Sequence, residues 1–341
     1  NACPSSSDFR GAAVELARRL ARRYGDNPAV VAWHVGNEYG GACWCATCGE
    51  AFRKWLRKRY GDLDRLNRAW NTTFWSHTFT RWSEIHPPNA LSEHWRGPDH
   101  TAFQGITLDY KRFMSDQLLK GFLAEKAAIR EHSPDKPVTT NMMGLYQPID
   151  YHRWAPHLDF ASWDNYPPQD RSSTRTAARM ALAHGLMRGL RDGAPFWVME
   201  QTPSVTASRD VNPVKRPGVL RLWSWQSVAH GADAVLYFQL RQSRGACEKY
   251  HGAVLDHAVG HLAHGEAQVH GGLLDPAEGL GLTQGELLLE DALGPVDGLA
   301  GLQPVLEVGH LGLEHGQLRE AAHGHLDRGD EVALGERLHD V

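Results

Sequence analysis

Trp33-His34-Val35-Gly36-Asn37-Glu38-Tyr39-Gly40 and Phe196-Trp197-Val198-Met199-Glu200-Gln201-Thr202-Pro203 carry the fold and the chemistry of this chain. Each is an apolar run of strand length that ends in a glutamate. Around them, residues 30–35, 137–141, 158–164, 195–200 and 232–239 have the length and apolar content of strands. Residues 8–24, 49–59, 62–70, 102–131, 173–191 and 217–230 have helical spacing. In 8–24, Phe9, Ala13, Leu16, Leu20 and Tyr24 recur every three or four positions with arginines between, and Gly25-Asp26-Asn27-Pro28 stops the pattern. Strands alternating with helices predict a parallel sheet with crossover connections. Every strand candidate ends in polar residues: Asn37-Glu38, Asn141, Asp164-Asn165, Glu200-Gln201 and Gln239. Polar side chains at the carboxyl ends of successive parallel strands are the pattern of an α/β protein of the (β/α)8 TIM-barrel type. A doubly wound sheet is the rival, but no glycine-rich phosphate loop follows any strand.

A chain of 341 residues can bury a large core. Its net charge of −4, with both signs interspersed, gives no basic surface for nucleic acid or an anionic membrane. No stretch is apolar enough to span a bilayer, and no signal-peptide pattern opens the sequence, so a cytoplasmic protein is expected. Composition divides the chain in two: 1–256, a partial catalytic barrel, and 257–341, an atypical tail. Every Trp, Phe, Tyr, Ile, Met, Lys, Ser and Asn lies before His257. The tail has no clean period, and glycine recurs through its would-be helices. A flexible extension, an unusual domain and a translation out of frame from near His257 are the three readings. The last accounts for the Gly/Leu/His/Arg-rich text, and the tail is expected not to pack as a domain.

The two glutamates suggest glycoside hydrolysis, which needs one protonated carboxyl to expel the leaving group and one ionised carboxyl to attack the sugar. A single glutamate after a strand is usually a solvated loop charge. Here Asn37 stands beside Glu38, where its amide can hydrogen-bond a sugar hydroxyl, and Glu200 emerges from a packed apolar run.

Cysteines form a second constellation. Cys43, Cys45 and Cys48 make C-x-C-x-x-C directly after Glu38, and Cys3 precedes the helix before that strand. Four thiolates match a closed, structural zinc site with no open position for water. The competing readings are unliganded reduced thiols and a nucleic-acid-binding finger. No second Cys/His pair at finger spacing supports the latter. Cys247 is expected to be a buried packing residue.

From about Cys3 to His257 the sequence resembles glycoside hydrolase family 42, the β-galactosidases of a barrel clan. The resemblance rests on Gly36-Asn37-Glu38-Tyr39-Gly40, Asn71-Thr72-Thr73-Phe74-Trp75-Ser76, Trp163-Asp164-Asn165-Tyr166-Pro167, Met199-Glu200-Gln201-Thr202-Pro203 and Gly245-Ala246-Cys247-Glu248-Lys249-Tyr250-His251-Gly252-Ala253. It implies that Glu38 is the acid/base on the fourth barrel strand and Glu200 the nucleophile on the seventh. The reaction would be retaining hydrolysis of terminal β-galactosides through a galactosyl-enzyme, with the carboxyls about 5–5.5 Å apart. It further implies that Asn37, Glu248 and His251 bind sugar hydroxyls, Trp75 stacks on the sugar and Tyr166 steadies the nucleophile. A buried ion pair of Glu248 with Arg244 or Lys249 and a packing role for Trp75 are the plainer alternatives. Family members often carry a cysteine cluster of this kind, and the full-length enzyme is expected to be homo-oligomeric. The first three βα units, with a sugar-binding arginine, have no counterpart here. The barrel is therefore expected to be incomplete at its N-terminus, and the chain by itself nearly inactive. The alternative to an enzyme is a non-catalytic, zinc-stabilised fragment without an assembled site. One departure stands out: after Thr202-Pro203 the family's subsite tryptophan is replaced by Ser204-Val205-Thr206-Ala207-Ser208-Arg209.

Overall fold

Ser6 opens the first helix, its hydroxyl accepting from the N–H of Phe9, and the chain then runs helically over Ser7–Tyr24 (α1). The helix closes at Gly25, where a Cβ would sit 2.3 Å from the His132 carbonyl oxygen; only glycine fits that approach. This computed structural model describes residues 2–89, 104–168, 173–209, 212 and 215–255. The tail expectation falls outside that set.

Among the described residues six strands follow: Trp33–His34 (β1), Val138–Thr139 (β2), Asn141–Met142 (β3), Ala161–Asn165 (β4), Phe196–Gln201 (β5) and Ala232–Tyr237 (β6). All pairings are parallel. β1 pairs with β2, and the second sheet has the order β3-β4-β5-β6. β2 and β3 are two pieces of the single expected strand 137–141, separated by Thr140, one facing β1 and the other β4. Each strand thus lies beside the next in the chain, the order of a barrel wall. A doubly wound sheet would reverse that order partway.

Helices cover the outside: Ala46–Tyr60 (α2), Leu63–Trp70 (α3), Gln104–Arg130 (α4), Tyr151–Trp154 (α5), Ser173–Gly189 (α6) and Val219–Ala229 (α7). β4 is buried along its whole length, as expected for a parallel strand with both faces covered. The main core joins strand residues such as Val138, Trp163, Phe196 and Val198 to Phe122, Ile129, Trp154, Ala183 and Met187 of the helices. Phe122 is fully buried against Tyr39 and Trp154. Truncating it to alanine would cost about 3–5 kcal/mol.

A second core lies beside the first. Phe52 and Leu56 of α2, Leu66 of α3, and Ile106, Tyr110, Phe113 and Met114 of α4 enclose it, with Cys48 among them. The long helix α4 belongs to both cores, its first half to this one and its second half to the barrel wall. Asp109 ties the start of α4 to α2 and α3. Only 1% exposed, it accepts from Tyr60 Oη at 2.5 Å and Trp70 Nε1 at 2.9 Å and pairs with Arg112 at 3.1 Å.

Candidate active site

Strand β1 ends in a turn that the sequence writes as Gly36-Asn37-Glu38. Gly36 has φ +65°, and a Cβ there would lie 2.6 Å from the Tyr39 ring. Glu38 itself has φ +48°. This left-handed turn lifts the Glu38 side chain off the strand path. β5 reaches the site differently. Phe196 and Val198 face the helices, so strict alternation would send Glu200 the same way. Register shifts intervene: Trp163 pairs with Val198, and Asp164 pairs with Glu200, skipping Met199. The irregularity turns Glu200 to the same side as Asp164.

The result is a three-carboxyl cluster. Oxygens of Glu38, Asp164 and Glu200 lie within 4.8 Å of one another. Asn141, 1% exposed at the start of β3, ties them together. Its Oδ1 accepts from the Glu38 backbone N–H at 2.8 Å, which fixes the amide's orientation, so His34 Nε2 at 2.9 Å must also donate. Its Nδ2 donates to Asp164 Oδ2 at 2.6 Å, to Asn37 Oδ1 at 3.1 Å and toward Glu200 Oε1 at 3.5 Å. Because Asn37 Oδ1 is the acceptor, its own amide N–H groups remain to donate. Tyr166 Oη donates to Glu200 Oε2 at 2.6 Å.

Burial and the neighbouring charges of Glu200 and Glu38 push the Asp164 carboxyl up to about 10. Burial also raises Glu200, helped by the charges of Glu38 and Glu248 and opposed by the Tyr166 O–H. The attacking carboxyl that the resemblance assigns to Glu200 must be ionised, and here burial outweighs the tyrosine that favours that form. Among the described residues no lysine or arginine forms an ion pair with any of the three carboxyls. A cavity of about 230 Å³ opens beside Glu38 and Asp164, walled by Met143, Trp163, Tyr166 and Met180.

His251 is buried with its ring edge-on to Tyr166 at 5.6 Å and to Phe238 at 5.1 Å. That places it one ring away from Glu200. Burial pulls its pKa down, and Nε2 is buried without a partner among the described residues. Glu248 is exposed three residues earlier, and its carbonyl accepts from the His251 N–H. Trp75 is 70% exposed and stacks on Phe74 at 5.0 Å; among the described residues its ring contacts are with Phe74 and His77, not with the carboxyl cluster. Cys247 corrects an expectation: it is exposed, because the chain past β6 runs as an uncovered loop there.

Asn141 and Asp164 were visible in the sequence as strand-end residues but were not read as site residues. The criterion that singled out Glu38 and Glu200, a polar residue at a strand's carboxyl end, applies to both.

Away from the carboxyls, the thiols of Cys3, Cys43, Cys45 and Cys48 converge. Their sulfurs lie within 4.8 Å of one another, with Cys3 Sγ 3.5 Å from Cys45 and 3.4 Å from Cys48. None is in a disulfide. A tetrahedral zinc with bonds of about 2.3 Å has sulfurs about 3.8 Å apart, so this all-thiol donor set fits that ion. The Cys48 N–H at the start of α2 leads the effects that bring the Cys45 thiol down to about 6.

Consecutive parallel strands with carboxyls meeting at their carboxyl ends are the site arrangement of a (β/α)8 barrel. Residues 1–270 match the family 42 glycoside hydrolase profile, described as β-galactosidase, and the chain belongs to that family. It is 55% identical over 261 residues to β-galactosidase BgaP of Planococcus sp. (strain L4), a match covering 76% of this chain and 38% of that protein. Against the crystal structure of β-galactosidase from Bacillus circulans sp. alkalophilus, identity is 57% and the TM-score 0.72, over 76% of this chain and 38% of that one. For the cold-adapted β-galactosidase of Rahnella sp. R3 the figures are 44% and 0.74, over 79% and 39%. The chain thus spans about 38% of the length of the curated relatives it matches, and its described strands form part of a barrel. No helix among the described residues is long and apolar enough to cross a membrane.

Proposed function

We propose that this chain carries the catalytic pair of a retaining β-galactosidase. The observation that supports this most directly is the closeness of the carboxyls: oxygens of Glu38 and Glu200 lie within 4.8 Å. Retaining enzymes space the two groups about 5–5.5 Å apart, whereas inverting ones leave about 6.5–9.5 Å for a water. Glu38 protonates the glycosidic oxygen as the C1–O bond breaks, and a Glu200 oxygen forms a bond to C1. In the second step Glu38 takes a proton from water as the water oxygen attacks C1, releasing the sugar and the Glu200 carboxylate. Tyr166 holds the attacking carboxylate, and this reading assigns the amide N–H groups of Asn37 and the ring of His251 to sugar hydroxyls. Galactose as the sugar rests on the named activities of the relatives.

The test is a chimera in which residues 1–255 replace the matching segment of the Planococcus enzyme. It should release nitrophenol from a nitrophenyl β-galactoside and give the β-anomer of galactose first, and Glu200→Ala should abolish turnover. An α-anomer as first product, or an unaffected Glu200→Ala variant, refutes the assignment.

A second reading has its own support. The chain spans about 38% of its relatives' length, and among the described residues β1 pairs with β2 alone. A site opened to water loses the fixed geometry that separates acid from nucleophile. By itself, then, the chain would be a zinc-stabilised piece with little turnover. Cys3, Cys43, Cys45 and Cys48 would hold that zinc, which has a structural role: it joins the segment before α1 to the start of α2 and the second core.

A further inference from the structure

We propose that Asp164 is a neutral carboxylic acid whose O–H positions Glu38, a third carboxyl in the site that neither attacks nor protonates the sugar. This deepens the glycosidase reading and, for its kinetic consequence, rests on it. The argument is one of hydrogen-bond supply. Asp164 is 5% exposed, and its Oδ2 accepts from Asn141 Nδ2 at 2.6 Å. Its Oδ1 is buried without an N–H or O–H donor among the described residues. An ionised carboxylate needs donors on both oxygens, and burying one without them is costly. A protonated Oδ1 needs an acceptor instead, and two carboxylates lie within 4.8 Å.

Of those two, Glu200 is already supplied. Its Oε2 accepts from Tyr166 and its Oε1 faces the Asn141 amide. Glu38 meets Asn141 through its backbone N–H, which donates to Asn141 Oδ1, and no described residue donates to its carboxyl, whose oxygen lies within 4.8 Å of Asp164. The Asp164 proton therefore lies between Asp164 Oδ1 and Glu38. With Glu38 carrying the proton it donates, Asp164 and Glu200 both ionised this close, without a paired cation, would still repel strongly, so one of these two must stay protonated. The upward shift of Asp164 agrees with its being that one. Among the described residues the other ionisable groups around it are Tyr166 beyond β4, Tyr151 of α5, His34 of β1 through Asn141, and Arg179 of α6, which lines the same cavity without an ion pair to it. When Glu38 gives up its proton to the leaving group, the Asp164 O–H is aimed at the new carboxylate and stabilises it.

Infrared spectroscopy of the chain labelled with 13C-carboxyl aspartate tests the proton directly. At neutral pH one aspartate should show a protonated-carboxyl stretch, and Asp164→Asn should remove it. No such band, or one that persists in Asp164→Asn, overturns the proposal. Thermal unfolding gives an independent readout. Native Asp164 keeps a proton that the unfolded chain releases above its ordinary carboxyl range, so its contribution to stability falls as pH rises. The melting-temperature advantage of Asp164→Asn over wild type should widen from about pH 5 to about pH 9. A constant or shrinking gap refutes it, and a merely structural aspartate would give one. In the chimera, Asp164→Asn keeps a neutral donor and should retain kcat within about tenfold, whereas Asp164→Leu should lose about a hundredfold, mainly in kcat. Equal losses in the two variants count against the positioning role. A chimera inactive with wild-type Asp164 refutes the glycosidase reading, and the infrared band still decides Asp164.

Discussion

The Tyr166 hydroxyl donates to Glu200 Oε2 at 2.6 Å, across the boundary between β4 and β5. It is the one protein O–H among the described contacts that favours an ionised Glu200, against burial and the charges of Glu38 and Glu248. Tyr166→Phe removes a charge-assisted bond, so Glu200 shifts further up. In the chimera the acidic limb of kcat/KM should move to higher pH, and the rate below that limb's plateau should fall about tenfold to a hundredfold. An unchanged limb would separate Tyr166 from the ionisation of Glu200.

Asn141 supplies Glu38, Asn37, Asp164 and the approach to Glu200 from one amide. Asn141→Asp keeps the shape but replaces the donor with a fourth carboxyl in a buried cluster. We expect it to be the more damaging change, with kcat/KM lower than in Asn141→Ala and a lower melting temperature at neutral pH than at about pH 5. Kinetics and calorimetry at the two pH values check both parts.

His184 is fully buried on α6 between Trp163, Phe196 and His230. The Ser227 hydroxyl already donates to the Trp223 carbonyl, so His184 Nε2–H donates to Ser227, and Nδ1 lies buried without a partner among the described residues. Burial brings its pKa down to about 3. The unfolded chain binds this proton below about pH 6.5, and the folded one refuses it until far lower. Stability is therefore lost as pH falls across that window, with a limiting slope of about 1.4 kcal/mol per pH unit from this residue. His184→Phe should flatten the acid side of a denaturation-versus-pH curve.

Metal analysis of the purified chain should find about one zinc. Chelation, or Cys48→Ser, should lower the melting temperature and open α2 and α3 to proteolysis, since Cys48 is buried in the core those helices share with α4. Cys247→Ser, at an exposed loop position, should leave metal content unchanged.

Turnover by the chain alone should be at least about a hundredfold below that of the chimera, because the site's geometry depends on closure of the barrel. Steady-state hydrolysis of a nitrophenyl galactoside by both proteins at equal concentration decides this. Comparable rates would mean that the described strands already form a competent site.

The sequence by itself determined the parallel α/β architecture, because apolar strand-length runs alternate with amphipathic helices and each run ends in polar residues. It also marked Glu38, Glu200 and the four clustered cysteines, whose chemistry is carried by residue type and spacing. Tertiary structure decided the rest. Periodicity would have sent Glu200 to the helix side with Val198, and a register shift against β4, which no local pattern announces, turned it toward Asp164. Asn141 became the centre of the site because β2 and β3 divide around Thr140 and leave its amide facing Glu38, Asp164 and Glu200 together. Asp164 reads in the sequence as an ordinary strand-end acid. Its charge state is set by burial and by two carboxyls brought from distant strands, and such an environment exists only once the chain has folded.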